Sequence, residues 1–321
     1  MDPATARPED LEELPLDHLR NLDLSEASDP SLPAHVASAS GVARRGRNVY
    51  VIGDESNHLA VFDLTSAEPG RLVRALEGET HTDPADRAKH KADLEALTVL
   101  PPAQHSPYGL LLGVGSGSGP RRDRGFAWDL GPDGSLRDDP REIDLGPAYE
   151  LLRERIGDLN VEGAAVLGDE LLLFHRGNDS DFDNAVARLA LERTLDSIHG
   201  DLRIDVEEIA SLRTYDLGEL DGVELCFSDA TPLGDGLVVF TASAEDDDGA
   251  IHGSVIGLLD PSGEVTRLRR IDRRWKVEGV HAQVDTGVID FAFVCDQDDP
   301  DIPSPLLTAT MPIEPGFESP V

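Results

Sequence analysis

The feature that most constrains this 321-residue chain is a weak internal repeat, in which five segments share one order of short apolar runs and turns. The units open with Ala-Ser-Gly-Val-Ala (39–43), Leu-Glu-Ala-Leu-Thr (94–98), Val-Glu-Gly-Ala-Ala (161–165), Val-Glu-Leu-Cys-Phe (223–227) and Val-Glu-Gly-Val-His (277–281). A second apolar run follows each opening: Val49–Ile52, Leu110–Val114, Leu171–Phe174, Leu237–Thr241 and Ile289–Cys295. Third runs fall at Leu59–Leu64, Gly125–Leu130, Ala185–Leu191, Ser254–Asp260 and Leu306–Met311. Ser40 to Val49 and Glu162 to Leu171 both span nine positions, and the other units add turn residues at that place (101–108, 229–235, 284–287).

Runs this short, separated by glycine, proline and polar turns, predict strands. Fourth strands fit Leu72–Leu76, Arg141–Leu145, Ile204–Tyr215 and Val265–Ile271, but the fifth unit ends near Pro312 without one. His18–Leu24 matches the missing strand. The pattern therefore predicts an all-β chain, a single five-bladed β-propeller of four-stranded antiparallel blades, closed by an N-terminal strand that completes the last blade. Residues 1–12 read as a disordered acidic arm, 13–312 as the propeller and 313–321 as a tail. Short helices are expected at 146–157, with proline near its start and glycine past its end, and at 192–199.

In a propeller the first strand of each blade lines the central channel, so Ser40, Glu95, Glu162, Glu224 and Glu278 are expected to converge on one mouth. The loops joining second to third strands (54–58, 116–124, 175–183, 243–248, 296–299) come to the same face. A lone glutamate at a strand start usually ties neighbouring backbones together. Four in equivalent positions repel one another strongly and point to a polar or metal site. An oxygen-rich ring suits Ca²⁺, whereas zinc would call for thiolates and paired histidines. Around it, Arg121, Arg122 and Arg124 follow a Gly-Ser-Gly-Ser-Gly-Pro loop (115–120), and His175, Arg176 and Asn178 follow a core strand. Arginine forks on such loops would hold a small anionic ligand, although each taken singly fits a surface pair with one of the many acids. His81 and His90 read as exposed loop histidines. The sequence contains no nucleophile elbow, phosphate loop or dinucleotide fingerprint.

Charge narrows the partners. There are 63 acidic and 28 basic residues, for a net of −35, and only Lys89, Lys91 and Lys276 among the basic residues are lysine. Such a surface repels nucleic acid and anionic membranes. It fits a high-salt or GC-rich source, or a calcium-rich setting. The first residues lack the basic and apolar regions of a secretory signal, and no apolar stretch is long enough to span a bilayer, so the expectation is a cytoplasmic monomer. Cys226 and Cys295, both in apolar runs, read as buried free thiols, with a disulfide as the alternative.

These motifs resemble those of the phytase-like β-propeller group, and within it an uncharacterised bacterial family. The resemblance rests on Asp-Leu-Glu-Ala-Leu-Thr (93–98), Gly-Ser-Gly-Ser (115–118), Asn-Val-Glu-Gly-Ala-Ala (160–165), Gly-Val-Glu-Leu-Cys-Phe-Ser-Asp (222–229) and Lys-Val-Glu-Gly-Val-His (276–281). More distantly the chain is similar to calcium-activated nucleotidases (apyrases). That resemblance implies a central Ca²⁺ held by Ser40, Glu95, Glu162 and Glu278, with Glu224 standing where that family has serine. The function expected is a calcium-binding propeller that hydrolyses a phosphoester or phosphoanhydride at the channel mouth. The alternative is a binding or scaffold propeller with a structural ion. A two-carboxylate glycosidase ranks last, because two Trp and four Tyr leave little for sugar stacking.

Overall fold

The computed structural model describes residues 13–79, 81–177, 184–234, 236–246, 248–297 and 299–313. The chain starts with two short strands, β1 (Glu13–Leu14) and β2 (Asp17–Asn21). Blade 1 comprises β3 (Ala39–Arg45), β4 (Asn48–Gly53), β5 (His58–Asp63) and β6 (Arg71–Arg74). Helix α1 (Pro84–His90) leads to blade 2, with β7 (Leu94–Leu100), β8 (Leu110–Gly115), β9 (Arg124–Asp129) and β10 (Arg141–Asp144). Helix α2 (Gly146–Ile156) precedes blade 3: β11 (Val161–Leu167), β12 (Glu170–His175), β13 (Asn184–Ala190), then α3 (Leu191–Gly200) and β14 (Ile209–Tyr215). In blade 4 a two-residue strand, β15 (Glu219–Leu220), adjoins β16 (Val223–Gly234), β17 (Leu237–Glu245), β18 (Ile251–Leu259) and β19 (Val265–Ile271). Blade 5 is β20 (Val277–Asp285), β21 (Val288–Cys295) and β22 (Pro305–Pro312), completed by β2.

Burial within each blade follows the distance from the axis. β8 is buried at every position, while β6 and β14 are mostly exposed or half-buried. Second strands are covered on both faces by neighbouring blades and so read as unbroken apolar runs, whereas the outermost strands meet water. The core is correspondingly divided into five clusters, one in each seam between blades. The inner strands touch in the order β3, β7, β11, β16, β20 and back to β3, which closes the ring.

β2 pairs antiparallel with β22, placing Asp17 opposite Thr308 and Asn21 opposite Pro305, so the expected closure by an N-terminal strand is observed. The N-terminal segment does more than the sequence suggested. Before reaching blade 5, β1 adds to blade 4 as a parallel strand on β19 (Glu13 opposite Arg270, Leu14 opposite Ile271). Beyond β2, Leu24 bridges Gly70 beside blade 1, and Leu22 and Leu24 are buried in the seam between blades 5 and 1. One segment thus fastens three blades. The helices at 146–157 and 192–199 appear as α2 and α3, while α1 was not foreseen. Its seven residues carry no apolar stripe; instead Asp83 caps its start by accepting from the Ala85 and Asp86 amides. Among the described residues no helix is long and apolar enough to cross a membrane.

Leu14 and Leu16 are 2% and 4% exposed in the seam of blades 4 and 5, whereas Leu19 is 51% exposed. Leu14→Ala should lower the unfolding free energy by about 2–5 kcal/mol. Leu19→Ala should change it by less than about 0.5 kcal/mol. Denaturant unfolding of the two variants side by side measures the strength of the closure.

Candidate functional site: a carboxylate-rich channel mouth

Each inner strand carries the same irregularity, near its start in four blades and midway along β16. The pairing with the second strand skips one residue: Ser40 in β3, Glu95 in β7, Glu162 in β11, Ser228 in β16 and Glu278 in β20. A skipped residue leaves the ladder and bends the strand, which re-aims its side chain. The next residue is small in four blades: Gly41, Ala96, Gly163 and Gly279. A Cβ on Gly163 would lie 2.7 Å from the Ala230 amide nitrogen, and one on Gly279 would lie 3.0 Å from the Ser40 carbonyl oxygen. The Glu-Gly pair in the sequence therefore joins two requirements, a re-aimed polar side chain and the close approach of the next blade.

Glu224 does not belong to this set. It sits on an exposed stretch of β16 opposite Glu219, four residues before the bulge, and Ser228 takes the equivalent place. Matching on Val-Glu was misleading because β16 runs twelve residues and begins early, to pair with β15. A usable signal was present: Ser228 to Leu237 is nine positions, the spacing of Ser40 to Val49 and Glu162 to Leu171. Asp229, also missed, follows the bulge where other blades have glycine or alanine. Its carboxylate is fully buried and accepts the Ala230 and Val280 amides, both at 2.7 Å, tying blade 4 to blade 5. Burial holds its pKa well above the usual carboxylate range, in spite of those two amide bonds.

The mouth is a network of charges in two arcs. On one side Lys91, which ends α1, donates to Asp93 at 2.6 Å and also to Asp54. Asp93 accepts from Arg122 at 2.8 Å and from Ser116. Oxygens of Asp54, Asp93 and Glu95 lie within 4.8 Å of one another, and the buried Oδ1 of Asp54 has no hydrogen-bond partner. On the other side Arg176 donates to Glu245 at 2.8 Å, and Lys276 lies 3.3 Å from Glu278. Glu162 stands between the arcs and accepts from the Asn160 side chain at 2.6 Å.

Among the described residues six carboxyl groups (Asp54, Asp93, Glu95, Glu162, Glu245, Glu278) face four basic groups (Lys91, Arg122, Arg176, Lys276), so the carboxyls outnumber their cationic partners. Burial, then the nearby Glu162, Asp54 and Asp93, hold Glu95 well above its ordinary value. Burial pushes Glu162 up to about 8, with Glu278 and Asp93 adding to the rise and Arg176 opposing it. Glu278 is raised mainly by burial, against Lys276 and Arg176.

The structure distributes the other expected site residues unevenly. Arg176 lies within the mouth, electrostatically between Glu162 and Glu278. Arg122 reaches it through Asp93. Arg121 is exposed and donates to the Lys89 carbonyl at 3.2 Å. Arg124 pairs with Glu142 on the outer strand of its own blade. His175 is only 2% exposed, which removes it from contact with a ligand arriving from solvent. Its Nδ1 meets the Asn160 backbone, and burial lowers its pKa to about 4, so it is a neutral brace behind Glu162. Asn178 lies outside the described residues. Both cysteines are free; Cys295 is buried as expected, while Cys226 is half-buried and donates to the Gly177 carbonyl.

Fold and mouth together define a five-bladed β-propeller with an acidic channel opening. Residues 35–311 match the family described as "Family of unknown function (DUF6929)", and the chain belongs to that family. A search of curated proteins finds no match. Among solved structures, a hypothetical protein from Leishmania major is similar with a TM-score of 0.50 and 15% identity, over 92% of this chain and 91% of that one. A mannose phosphorylase from Leishmania mexicana gives 0.47 and 14%, over 93% and 88%. Glutaminyl cyclase from Myxococcus xanthus gives 0.48 and 13%, over 94% and 100%. At such identities the likeness is one of fold. The family and the propeller are thereby established; the finer resemblance to phytases and apyrases is not.

A carboxyl whose folded pKa lies above its unfolded value binds its proton more tightly in the folded state, so stability falls as pH rises through the folded value. For Glu162 the window runs from the ordinary 4.5 to about 8. In chelator, melting temperature should fall across that window, and Glu162→Gln should fall less steeply. Equal slopes for the two proteins would show that the mouth carries no such strain.

Proposed function

We propose that the mouth binds a divalent cation and that the protein is a metal-dependent hydrolase of a small phosphoester or phosphoanhydride. The observation that carries this reading is the crowding of buried or half-buried carboxyl groups at the mouth, with oxygens of Asp54, Asp93 and Glu95 within 4.8 Å of one another and fewer basic groups than acids. The donor set fits a hard cation: carboxylate and hydroxyl oxygens, with one buried Asp54 oxygen lacking any partner. Glu95, with Asp54 and Asp93 beside it, would hold the ion, and Glu162, Glu278, Ser40 and Ser228 would supply the rest of the oxygen ring. Calcium suits these ligands best, because it tolerates six to eight oxygens in irregular geometry.

When bound, the ion would supply Lewis-acid activation of a phosphoryl oxygen and of water. The chain's own residues do the rest. Arg176 and Arg122 flank the ring from opposite arcs and would orient the anion, as guanidinium forks do for phosphate. Asp93 holds Lys91 and Arg122 in place and keeps both cations at the rim.

A second reading, an ion that serves stability alone, draws support from the same pairs. Arg176 is already engaged by Glu245, and Lys91 by two aspartates.

Metal analysis of protein purified without chelator should find about one equivalent of divalent cation, lost in Glu162→Gln and retained in Glu224→Gln. Equal metal content in all three proteins would overturn the site. With calcium restored, turnover of a phosphoester and nucleotide panel that falls at least about tenfold in Arg176→Ala supports the hydrolase. A calcium-dependent rise in melting temperature without turnover supports the structural ion.

A further inference from the structure

A second feature lies beside the mouth. A cavity of about 130 Å³ opens between blade 1 and the segment crossing to it from blade 5. Its floor is apolar, formed by Leu24, Val36, Val51, Ala60 and Leu72. Its rim carries four histidines, His35, His58, His81 and His90, the last two stacked with ring centres 4.6 Å apart. Lys91 forms part of the wall, so the cavity and the acidic mouth share a side chain.

The chemistry of the wall narrows what would fit. Both cations lining the cavity are committed, Arg87 to Glu55 at 3.0 Å and Lys91 to Asp54 and Asp93. An anion would therefore have to compete with carboxylates already in place. The imidazoles offer acceptors instead. His35 Nε2 lies 3.0 Å from the Pro300 carbonyl and His90 Nδ1 lies 2.9 Å from the Asp86 carbonyl. Each of these nitrogens must donate, which leaves the other ring nitrogen of a neutral imidazole as an acceptor. Burial, and then Arg74, lower the His58 pKa from its ordinary value. A polyol of matching size would press unpaired hydroxyls against the apolar floor at a cost. A single flat ring would not, and roughly 150 Å³ is known to suffice for benzene in another protein.

We propose that this cavity is a binding site for a small uncharged aromatic molecule carrying a hydroxyl or N–H donor. The ring would lie on the floor between Val36 and Leu72, and the donor would meet an imidazole at the rim. The site stands without the cation reading. If both hold, it would receive the uncharged organic part of an ester whose anionic end faces the mouth.

The test uses the full chain in chelator, so it does not depend on the metal. Side-chain histidine ¹H–¹⁵N spectra are recorded during titration with phenol, anisole (same ring, no donor), benzoate (same ring, anionic) and myo-inositol. Phenol should shift the His35, His58 and His90 signals saturably and bind about tenfold tighter than anisole or benzoate, leaving His105 and His199 unmoved. Val36→Phe, which fills the cavity, should abolish the shifts. Should that variant fail to fold, His58→Leu should weaken phenol binding severalfold. Absence of saturable shifts in the wild type, equal binding of benzoate, preference for inositol, or unchanged phenol binding in folded Val36→Phe would each overturn the proposal.

Discussion

The structure depends on the contact between successive inner strands. Each is flanked on both sides by another inner strand, so most side chains near the axis are small or apolar. The bulge is the place where this rule is broken. It takes one residue per blade out of the ladder, and the glycine or alanine that follows lets the next blade come within reach of the backbone. In blade 4 the following residue is Asp229, and its carboxylate spans the seam by hydrogen bonds where the other blades meet by close packing.

Five bulges set the polarity of the mouth, in the order serine, glutamate, glutamate, serine, glutamate. Negative charge is therefore concentrated where blades 2 and 3 meet, and Glu278 stands apart, flanked by the two serines. The surrounding residues follow the same division. Lys91 and Arg122 serve the blade 2 side through Asp93, and Arg176 and Lys276 serve the side of Glu278. Glu162, between them, accepts from the neutral Asn160 amide and is raised chiefly by burial, with Glu278 and Asp93 adding to the rise and Arg176 opposing it. Buried carboxylates with incomplete compensation cost stability, which a folded protein recovers through protons or through a cation.

Much of this was legible in the sequence, for physical reasons. A blade buries its middle strands on both faces, so the runs at Leu110–Val114 and Leu171–Phe174 stand out, and turns of glycine and proline mark their ends. The strand that completes blade 5 was legible because the fifth unit lacked a partner for Leu306–Met311. Contact with blade 4 was not, since β1 has only two residues and its pairing depends on what lies beside it in space. Glu224 was mistaken for a ring member because residue type is shared along many strands, whereas bulge position is fixed only by the count to the next strand. Lys91, Asp54 and Asp93 were invisible as a group. They come from a helix end and two loops, and only the fold brings them together. His175 looked like a ligand contact because it ends a core strand, but that same position buries it.

The N-terminal segment sets the order in which the molecule can assemble. Asp17 must find Thr308, a partner 291 positions away along the chain, and the segment also holds blade 4 and borders blade 1. The N-terminal segment thus waits for partners made much later in the chain. Contacts at such separation carry a high loop-closure cost and slow folding. Until Pro305–Pro312 is made, blade 5 lacks its third strand and β2 lacks its partner, so the ring stays open. Glu278, on β20, therefore takes its place between Ser40 and Ser228 only when blade 5 packs against both of its neighbours.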